Sequence, residues 1–323
     1  MSYILVDLAN VFYRSRYVVN GADLDSKIGL AFHITLTSVK KVWQDYKGSH
    51  VVFCTEGRSW RKDVYKPYKA NRKEDREKLS DIEKDEEEVF WEAMNSFTNF
   101  LTNKTNCTVL HHNQAEADDL IARWIALHPN DKNIIVSTDT DLHQLINENV
   151  CQYDGVKEHL ITQEGYFDNK NQPVIDAKTN AIKVPLDPEY FLFEKCIRGD
   201  STDNVFSAYP KVRKTKIKEA YEDRQKKGFA WNNLMLGKWV DHNSVEHHVK
   251  NDYERNRVLI DLSAQPADIK KSIDDSILEA ISTPKLTKQV GTNLMRFCAQ
   301  WNLQRISDNA QGYATFLNAR YKA

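Results

Sequence analysis

At 323 residues, with 28% charged residues and a formal net charge of −1, the chain can bury a large core but is too evenly charged for composition to name a partner. Its five cysteines (Cys54, Cys107, Cys151, Cys196 and Cys298) lie far apart with no Cys-x-x-Cys pair. That argues against a zinc ribbon or a disulfide framework and fits a reducing compartment.

No apolar stretch approaches the length of a membrane span, and no solenoid period recurs. Met1-Ser2 leads straight into Tyr3-Ile4-Leu5-Val6 instead of a secretory leader, so the expected setting is the cytoplasm, without a membrane partner. Tyr3 to Val6 reads as a strand closed by Asp7, and Leu8 to Tyr13 can open a helix. Over residues 28–46, apolar positions recur at helical spacing (Ile28, Ala31, Val39, Val42 among them), which predicts an amphipathic crossover helix. His50 to Cys54 is a second strand, followed by Glu56. Strand, helix, strand predicts a right-handed βαβ unit and a parallel sheet.

Residues 58–90 break that rhythm. The first part is basic and aromatic, from Arg58 through Trp60, Arg61, Tyr65, Tyr68, Lys69 and Arg72; the second, from Asp81 to Glu88, is acidic. A charge run is commonly a solvated helical face. A long insertion between sheet elements is usually functional or mobile, and cations interleaved with aromatics suit phosphates and unstacked bases.

Residues 89–101 read as a helix and Cys107 to His111 as a third strand. Glu116-Ala117-Asp118-Asp119 then opens a helical run to Leu127. The helix dipole favours one or two acids in a first turn, but three in four positions exceed what a cap needs. Ile134-Ile135-Val136 is a further strand, running through Ser137-Thr138 into Asp139-Thr140-Asp141. Either aspartate there could cap a helix starting near Leu142. Val150 to Tyr153 is expected as an edge strand, and residues 155–188 as loops and hairpins. From Pro188 the pattern turns helical. Tyr190 to Ile197 leads into Gly199-Asp200-Ser201-Thr202-Asp203-Asn204, then a basic stretch containing Lys211, Arg213, Lys214, Lys216 and Lys218. Residues 229–323 read as mixed and mainly helical. Trp231, Trp239 and Trp301 are expected in the core, and His242, His247 and His248 in a loop cluster that is not a metal site.

In an open α/β sheet, ligands bind beyond the carboxyl ends of the strands. Asp7, Glu56, Glu116, Asp118, Asp119, Asp139 and Asp141 are therefore expected at one edge. So many carboxylates repel unless neutralised. Oxygen-only donors favour Mg²⁺ or Mn²⁺ over zinc. The chemistry such a site serves best is phosphoester hydrolysis, with two ions about 3.5–4 Å apart.

Together, Asp7; Glu56 with Arg61 and Tyr68-Lys69-Ala70-Asn71-Arg72; Glu116-Ala117-Asp118-Asp119; Ser137-Thr138-Asp139-Thr140-Asp141; and Gly199-Asp200-Ser201-Thr202-Asp203-Asn204 resemble the flap endonuclease/5′-nuclease family, and within it the T-even bacteriophage ribonuclease H type. The resemblance runs from about residue 3 to about residue 220. It implies a PIN-like α/β catalytic domain over residues 1–188, with residues 58–90 as a helical arch. Residues 189–323 would form a helical region containing a helix-three-turn-helix element. By resemblance, Asp7, Glu56, Glu116 and Asp118 would hold a first Mg²⁺, with Asp119 close by. Asp139, Asp141, Asp200 and Asp203 would hold a second, with Mn²⁺ able to substitute. Arg61, Lys69 and Arg72 would lie near the scissile phosphate, and Tyr68, Lys211, Arg213, Lys214 and Lys216 would contact nucleic acid.

The implied substrates are branched or nicked DNA and RNA–DNA hybrid, with a sliding clamp and a single-strand-binding protein as partners during DNA replication, in a host cytoplasm if the source is viral. Glu56 stands where the family usually has Asp, and Val205 to Lys211 replaces the family's glycine-rich hairpin.

Three other readings use parts of the same evidence. A PIN-type ribonuclease would share the acid site. A haloacid-dehalogenase-type phosphatase would use Asp139-Thr140-Asp141 for an aspartyl-phosphate, although His143 stands where Thr or Val is expected. A DNA-binding scaffold without catalysis would leave the acids without purpose.

Overall fold

The computed structural model describes residues 1–15 and 23–322. The chain divides into two units. Met1–Ser59, Ser80–Pro185 and Ala267–Ala323 make the first; Trp60–Leu79 and Leu186–Pro266 make the second. In chain order the helices are α1 (Leu8–Ser15), α2 (Leu24–Asp45), α3 (Arg61–Val64), α4 (Asn71–Glu77), α5 (Asp81–Lys104), α6 (Ala117–Leu127), α7 (Pro188–Arg198), α8 (Lys214–Glu222), α9 (Phe229–Met235), α10 (Val249–Ile260), α11 (Ala267–Ser282), α12 (Val290–Gln300), α13 (Gln304–Ser307) and α14 (Ala310–Leu317). Among the described residues, no helix is long and apolar enough to cross a membrane.

The first unit is built on a sheet of seven described strands in the order β3-β2-β1-β4-β5-β6-β7. β1 (Ser2–Asp7), β2 (His50–Cys54), β3 (Thr108–Leu110), β4 (Lys132–Val136) and β5 (Val150–Asp154) are parallel; β6 (His159–Ile161) and β7 (Tyr166–Phe167) continue the sheet antiparallel. β1 and β2 are buried at every position, which is why each reads as an apolar run without alternation. β5 is not the edge expected from the sequence, because the β6–β7 hairpin pairs beyond it. From β1 the chain moves to β2 and β3, then returns to β1's other side as β4. That reversal puts a topological switch point between β1 and β4, with its crevice at their carboxyl ends.

A large apolar cluster of the first unit has Phe97 of α5 within it. Its ring centroid lies 5.4 Å from Phe32, 5.7 Å from Phe297, 6.3 Å from Phe53 and 6.4 Å from Phe12. Phe297 belongs to α12, and Phe316 and Leu317 of α14 join the same cluster. The domain boundary expected at residue 189 is therefore corrected. Residues 267–323 return to the first unit, because the apolar faces of α12 and α14 complete the core around α2 and α5.

The 58–90 insertion also divides, with Trp60–Leu79 in the second unit and the rest in the first. Its acidic half is the exposed start of α5, opened by a capping box in which the Ser80 N–H donates to Glu83 Oε2 at 2.8 Å. The helix expected over 89–101 is the buried end of that same helix.

His50, at the start of β2, is 1% exposed, with its ring nitrogens 3.0 Å from the Ala319 carbonyl oxygen and 2.7 Å from Thr108 Oγ1. Burial pushes its pKa down to about 4; the Lys285 charge acts the same way and the Ala319 carbonyl opposes it. The unfolded chain therefore binds this proton near pH 6.5, while the folded chain does not until about pH 4. Stability should fall as pH drops through that window, by up to about 3 kcal/mol from this residue. Urea unfolding at pH 7 and pH 5 should show the loss, and His50→Asn should reduce it. An unchanged pH dependence in the variant would dismiss His50 as its source.

The second unit has its own apolar clusters. Phe193, Ile197, Ile217, Leu234 and Val249 pack α7, α8, α9 and α10 together, and Tyr68, Cys196, Val205, Leu259 and Ile260 form another group. A two-stranded ribbon, β8 (Lys238–Val240) with β9 (Glu246–His248), is also part of it. His247 and His248 lie on β9, not in the loop expected. His247 stacks on Trp239 with ring centroids 4.3 Å apart, and its ring nitrogens face Asp252 and Asp241.

Candidate active site

The first unit brings its acids to the carboxyl ends of β1, β2 and β4. Asp7 ends β1 and is 3% exposed. Burial raises its carboxyl well above the usual carboxylate range, and the charges of Glu56 and Asp139 raise it further. Two hydrogen bonds oppose this, from the Asn10 N–H to Oδ1 at 3.2 Å and from the Ser137 hydroxyl to Oδ2 at 3.0 Å. The Cys54 thiol at the end of β2 is likewise pushed well up by burial first, then by Asp7, Asp118 and Glu56. Asp7, Glu56, Asp118 and Asp139 thus all load one buried corner with negative charge. Among the described residues, however, no three acid, histidine or cysteine side chains are drawn together closely enough to enclose a metal ion.

Each acid is held by its own local structure. The Ala117 N–H, in the first turn of α6, donates to Glu56 Oε2 at 3.4 Å. Gly57 follows, and a Cβ there would collide with the His112 carbonyl oxygen; this close approach lets the Gly57 N–H reach the Ala115 carbonyl at 2.9 Å. The link draws the Glu56 segment against the loop bearing Glu116. The Ser59 hydroxyl in turn donates to Glu116 Oε2 at 2.8 Å. Asp119 is fully buried and accepts the Glu116 N–H at 3.2 Å, so it serves the start of α6.

Asp139 caps the 3₁₀ turn Thr140–Leu145 by accepting the Asp141 N–H at 2.9 Å, and its own N–H donates to Ser137 Oγ at 3.0 Å. Capping and charge are both real at this position. The Gln152 side-chain amide of β5 donates to the carbonyls of Ser137 and Asp139. Asn10 Oδ1 accepts from both the N–H and the hydroxyl of Thr138, latching the start of α1 to the chain after β4.

Asp200 and Asp203 belong to the second unit. Asp200 Oδ2 lies 2.8 Å from Lys195 Nζ, and its Oδ1 accepts the Thr202 N–H at 2.8 Å. Burial works to raise its carboxyl, but the lysine and the backbone donors prevail and hold it below the usual range. Asp203 accepts from the Tyr68 hydroxyl at 2.9 Å and Arg72 at 3.0 Å, with Lys69 Nζ at 3.5 Å. Lys69 has a left-handed backbone (φ 53°), and its N–H donates to the Asp203 carbonyl at 2.8 Å.

Lys69 and Arg72, expected at the scissile phosphate, are thus both partners of Asp203. Arg61 is 2% exposed, lies over the Trp60 ring at 4.6 Å and donates from Nε to the Leu259 carbonyl. Tyr68 is 4% exposed, and its ring packs with Cys196, Val205, Leu259 and Ile260.

Lys211, Arg213 and Lys214 are exposed around the start of α8, and Lys216 lies over the Tyr209 ring. The chain before them uses Gly199 (φ 74°), Asn204 (φ 56°) and Lys211 (φ 59°) in left-handed conformations where the sequence lacks a glycine hairpin. Gly199 is required there, because a Cβ would strike the Val205 carbonyl oxygen.

Asn10, Gly57, Ser59, Ser137 and Gln152 support the site without a carboxylate of their own; in sequence, only the place of Ser137 just before Asp139 and of Gly57 just after Glu56 marks any of them.

A family model described as the 5′-3′ exonuclease, N-terminal resolvase-like domain matches residues 2–172. A 5′-3′ exonuclease from Mycoplasmopsis pulmonis is 28% identical over 207 residues, which cover 63% of this chain and 60% of that protein. The flap endonuclease Xni of Pseudoalteromonas translucida is 32% identical over 127 residues, 38% of this chain and 45% of its own length. This chain therefore spans less than two thirds of either relative. Among solved structures, the bacteriophage T5 D15 flap endonuclease in a complex with DNA and metal ions superposes with a TM-score of 0.60 at 20% identity, covering 88% of this chain and all of that one. This likeness shows a shared fold: a mostly parallel sheet flanked by helices, with a mainly helical remainder.

Proposed function

This chain belongs to the 5′-3′ exonuclease family with an N-terminal resolvase-like domain, and from that premise we propose that it is a metal-dependent 5′-nuclease acting on DNA flaps, nicks and RNA primers. The observation that carries the reading is the buried Asp7 carboxyl, crowded by Glu56 and Asp139 at the switch point of the sheet. Uncompensated charge of that kind is costly and suits a cation.

The donors fit a hard divalent ion, since every candidate ligand in this corner is a carboxylate oxygen. Asp7, Glu56, Glu116, Asp118, Asp139 and Asp141 would hold Mg²⁺, or Mn²⁺ in its place, as a pair of ions. When bound, such ions neutralise developing phosphate charge and lower the pKa of water. The chain's own contribution is positional. Asn10 and Ser137 fix both oxygens of Asp7, Ser59 orients Glu116, and Gly57 lets the Glu56 and Glu116 segments meet.

The basic start of α8 supports a nucleic-acid contact in the second unit. Lys214 and Lys216 stand in the first turn of α8, where the helix dipole adds to their charge in attracting a phosphate. A replication setting would bring a sliding clamp or a single-strand-binding protein as partners.

The test is a cleavage panel of 5′-labelled flap, nicked duplex, intact duplex and RNA–DNA hybrid, each with Mg²⁺, Mn²⁺ or chelator. Metal-dependent release from the 5′ end of flap, nick or hybrid is expected. No cleavage of any substrate with either metal would leave the binding scaffold instead.

A further inference from the structure

The first unit contains a second concave site, on the outer edge of β3 and lined by none of the acids named above. It is a cavity of about 410 Å³ bounded by His50, Thr108, His111, Thr283, Lys285 and Tyr321. His50 and Thr108 begin their strands and His111 follows the end of β3, so the cavity runs along the edge of the sheet.

Lys285 has a buried Nζ that makes no hydrogen bond among the described residues. Burial lowers its pKa below the usual lysine range, so the ammonium is desolvated without compensation. Buried charges are normally paired. Its neighbourhood is braced and not loose. The Asn106 side-chain amide donates to the carbonyls of Thr287 and Asn318, and its Oδ1 accepts the Thr287 N–H at 2.8 Å. The Thr287 hydroxyl donates to the Thr105 carbonyl at 3.1 Å. The chain just after Lys285 is thereby pinned to the start of β3. The Thr283 hydroxyl is a further donor with no hydrogen bond among the described residues, and it lines the same cavity.

We propose that this cavity binds a phosphate-type oxyanion on Lys285, as free phosphate or as the phosphate of a 5′-mononucleotide. An ammonium and a hydroxyl are complementary to a tetrahedral oxyanion. The volume lies in the range of small-molecule sites, large enough for a nucleoside beyond the phosphate. Glu279 also lines the cavity and sets a charge limit on what enters. The proposal stands independently of the nuclease reading, because it uses none of the acids at the β1–β4 crevice.

Calorimetric titration of the full chain with inorganic phosphate and with a 5′-mononucleotide, in chelator and at constant ionic strength, tests it without metal at the acid corner. Saturable binding of one or both is expected. A tighter mononucleotide assigns the nucleoside to the cavity, and equal affinities assign free phosphate; either supports the oxyanion site. Lys285→Met should weaken binding roughly tenfold or more, the loss of one charge-assisted hydrogen bond. Glu279→Gln should tighten it, a gain that an unfolded or damaged protein could not show. No saturable binding of either probe, or unchanged affinity in Lys285→Met, would overturn the proposal.

Discussion

Asp7→Asn is expected to abolish metal-dependent cleavage, by at least about a hundredfold, while making the metal-free protein more stable. The two effects share one cause. Asp7 is almost fully buried, and its charge is opposed by Glu56 and Asp139. Asparagine has the same shape and no charge. Its oxygen can still accept the Asn10 N–H, while the Ser137 hydroxyl loses its carboxylate acceptor and can only accept from the new amide, a smaller cost than the charge removed. What disappears is the anionic donor that a divalent ion would use. In chelator the variant should unfold at higher urea than the parent, by at least about 1 kcal/mol, because a crowded buried charge is gone. Flap binding, measured without metal, should stay within about twofold, since the basic start of α8 is untouched. A variant that still cleaves would remove Asp7 from the metal site. One that loses both cleavage and stability would make Asp7 a structural residue.

The acids at strand ends were legible because two local patterns coincided: an apolar run and a carboxylate just past its end. That pattern is complete within a few residues of sequence at Asp7, Glu56 and Asp139. It could not say which strands are neighbours. Ser137 reaches Asp7, and Asn10 reaches Thr138, only because β4 lies beside β1, a pairing across some 130 residues that no local pattern encodes. Asp119 shows the converse. It shares its motif with Asp118, yet one helical turn directs it back to the Glu116 N–H as a cap. Tyr68 likewise sits among basic neighbours in sequence, while its ring is covered within the second unit and its hydroxyl donates to Asp203. Spacing identifies candidates, and packing decides which of them remain available.

The C-terminal hundred residues were the least legible part, because helical periodicity reveals an apolar face without naming what covers it. The structure gives that partner, and a large effect follows from it. Phe297→Ala in α12 is expected to destabilise the first unit by about 3–5 kcal/mol, the usual cost of emptying a buried aromatic site. Phe297 is 5% exposed, and its ring lies 4.6 Å from Phe100, 5.2 Å from Phe32 and 5.7 Å from Phe97. Those rings come from α2 and α5, so the cavity would open inside the core that supports the acid-bearing sheet, not in an appended domain. Met295→Ala on the same helix is the control. Met295 is 47% exposed, and its loss should cost less than about 1 kcal/mol. Urea unfolding, followed together with flap cleavage at rising temperature, separates the alternatives. If α12 belonged to an independent C-terminal domain, Phe297→Ala would melt that domain alone and leave cleavage unchanged at temperatures where the variant domain is already unfolded. With α12 built into the first unit's core, cleavage and the unfolding signal should be lost together, at a temperature roughly 10 °C below the parent's.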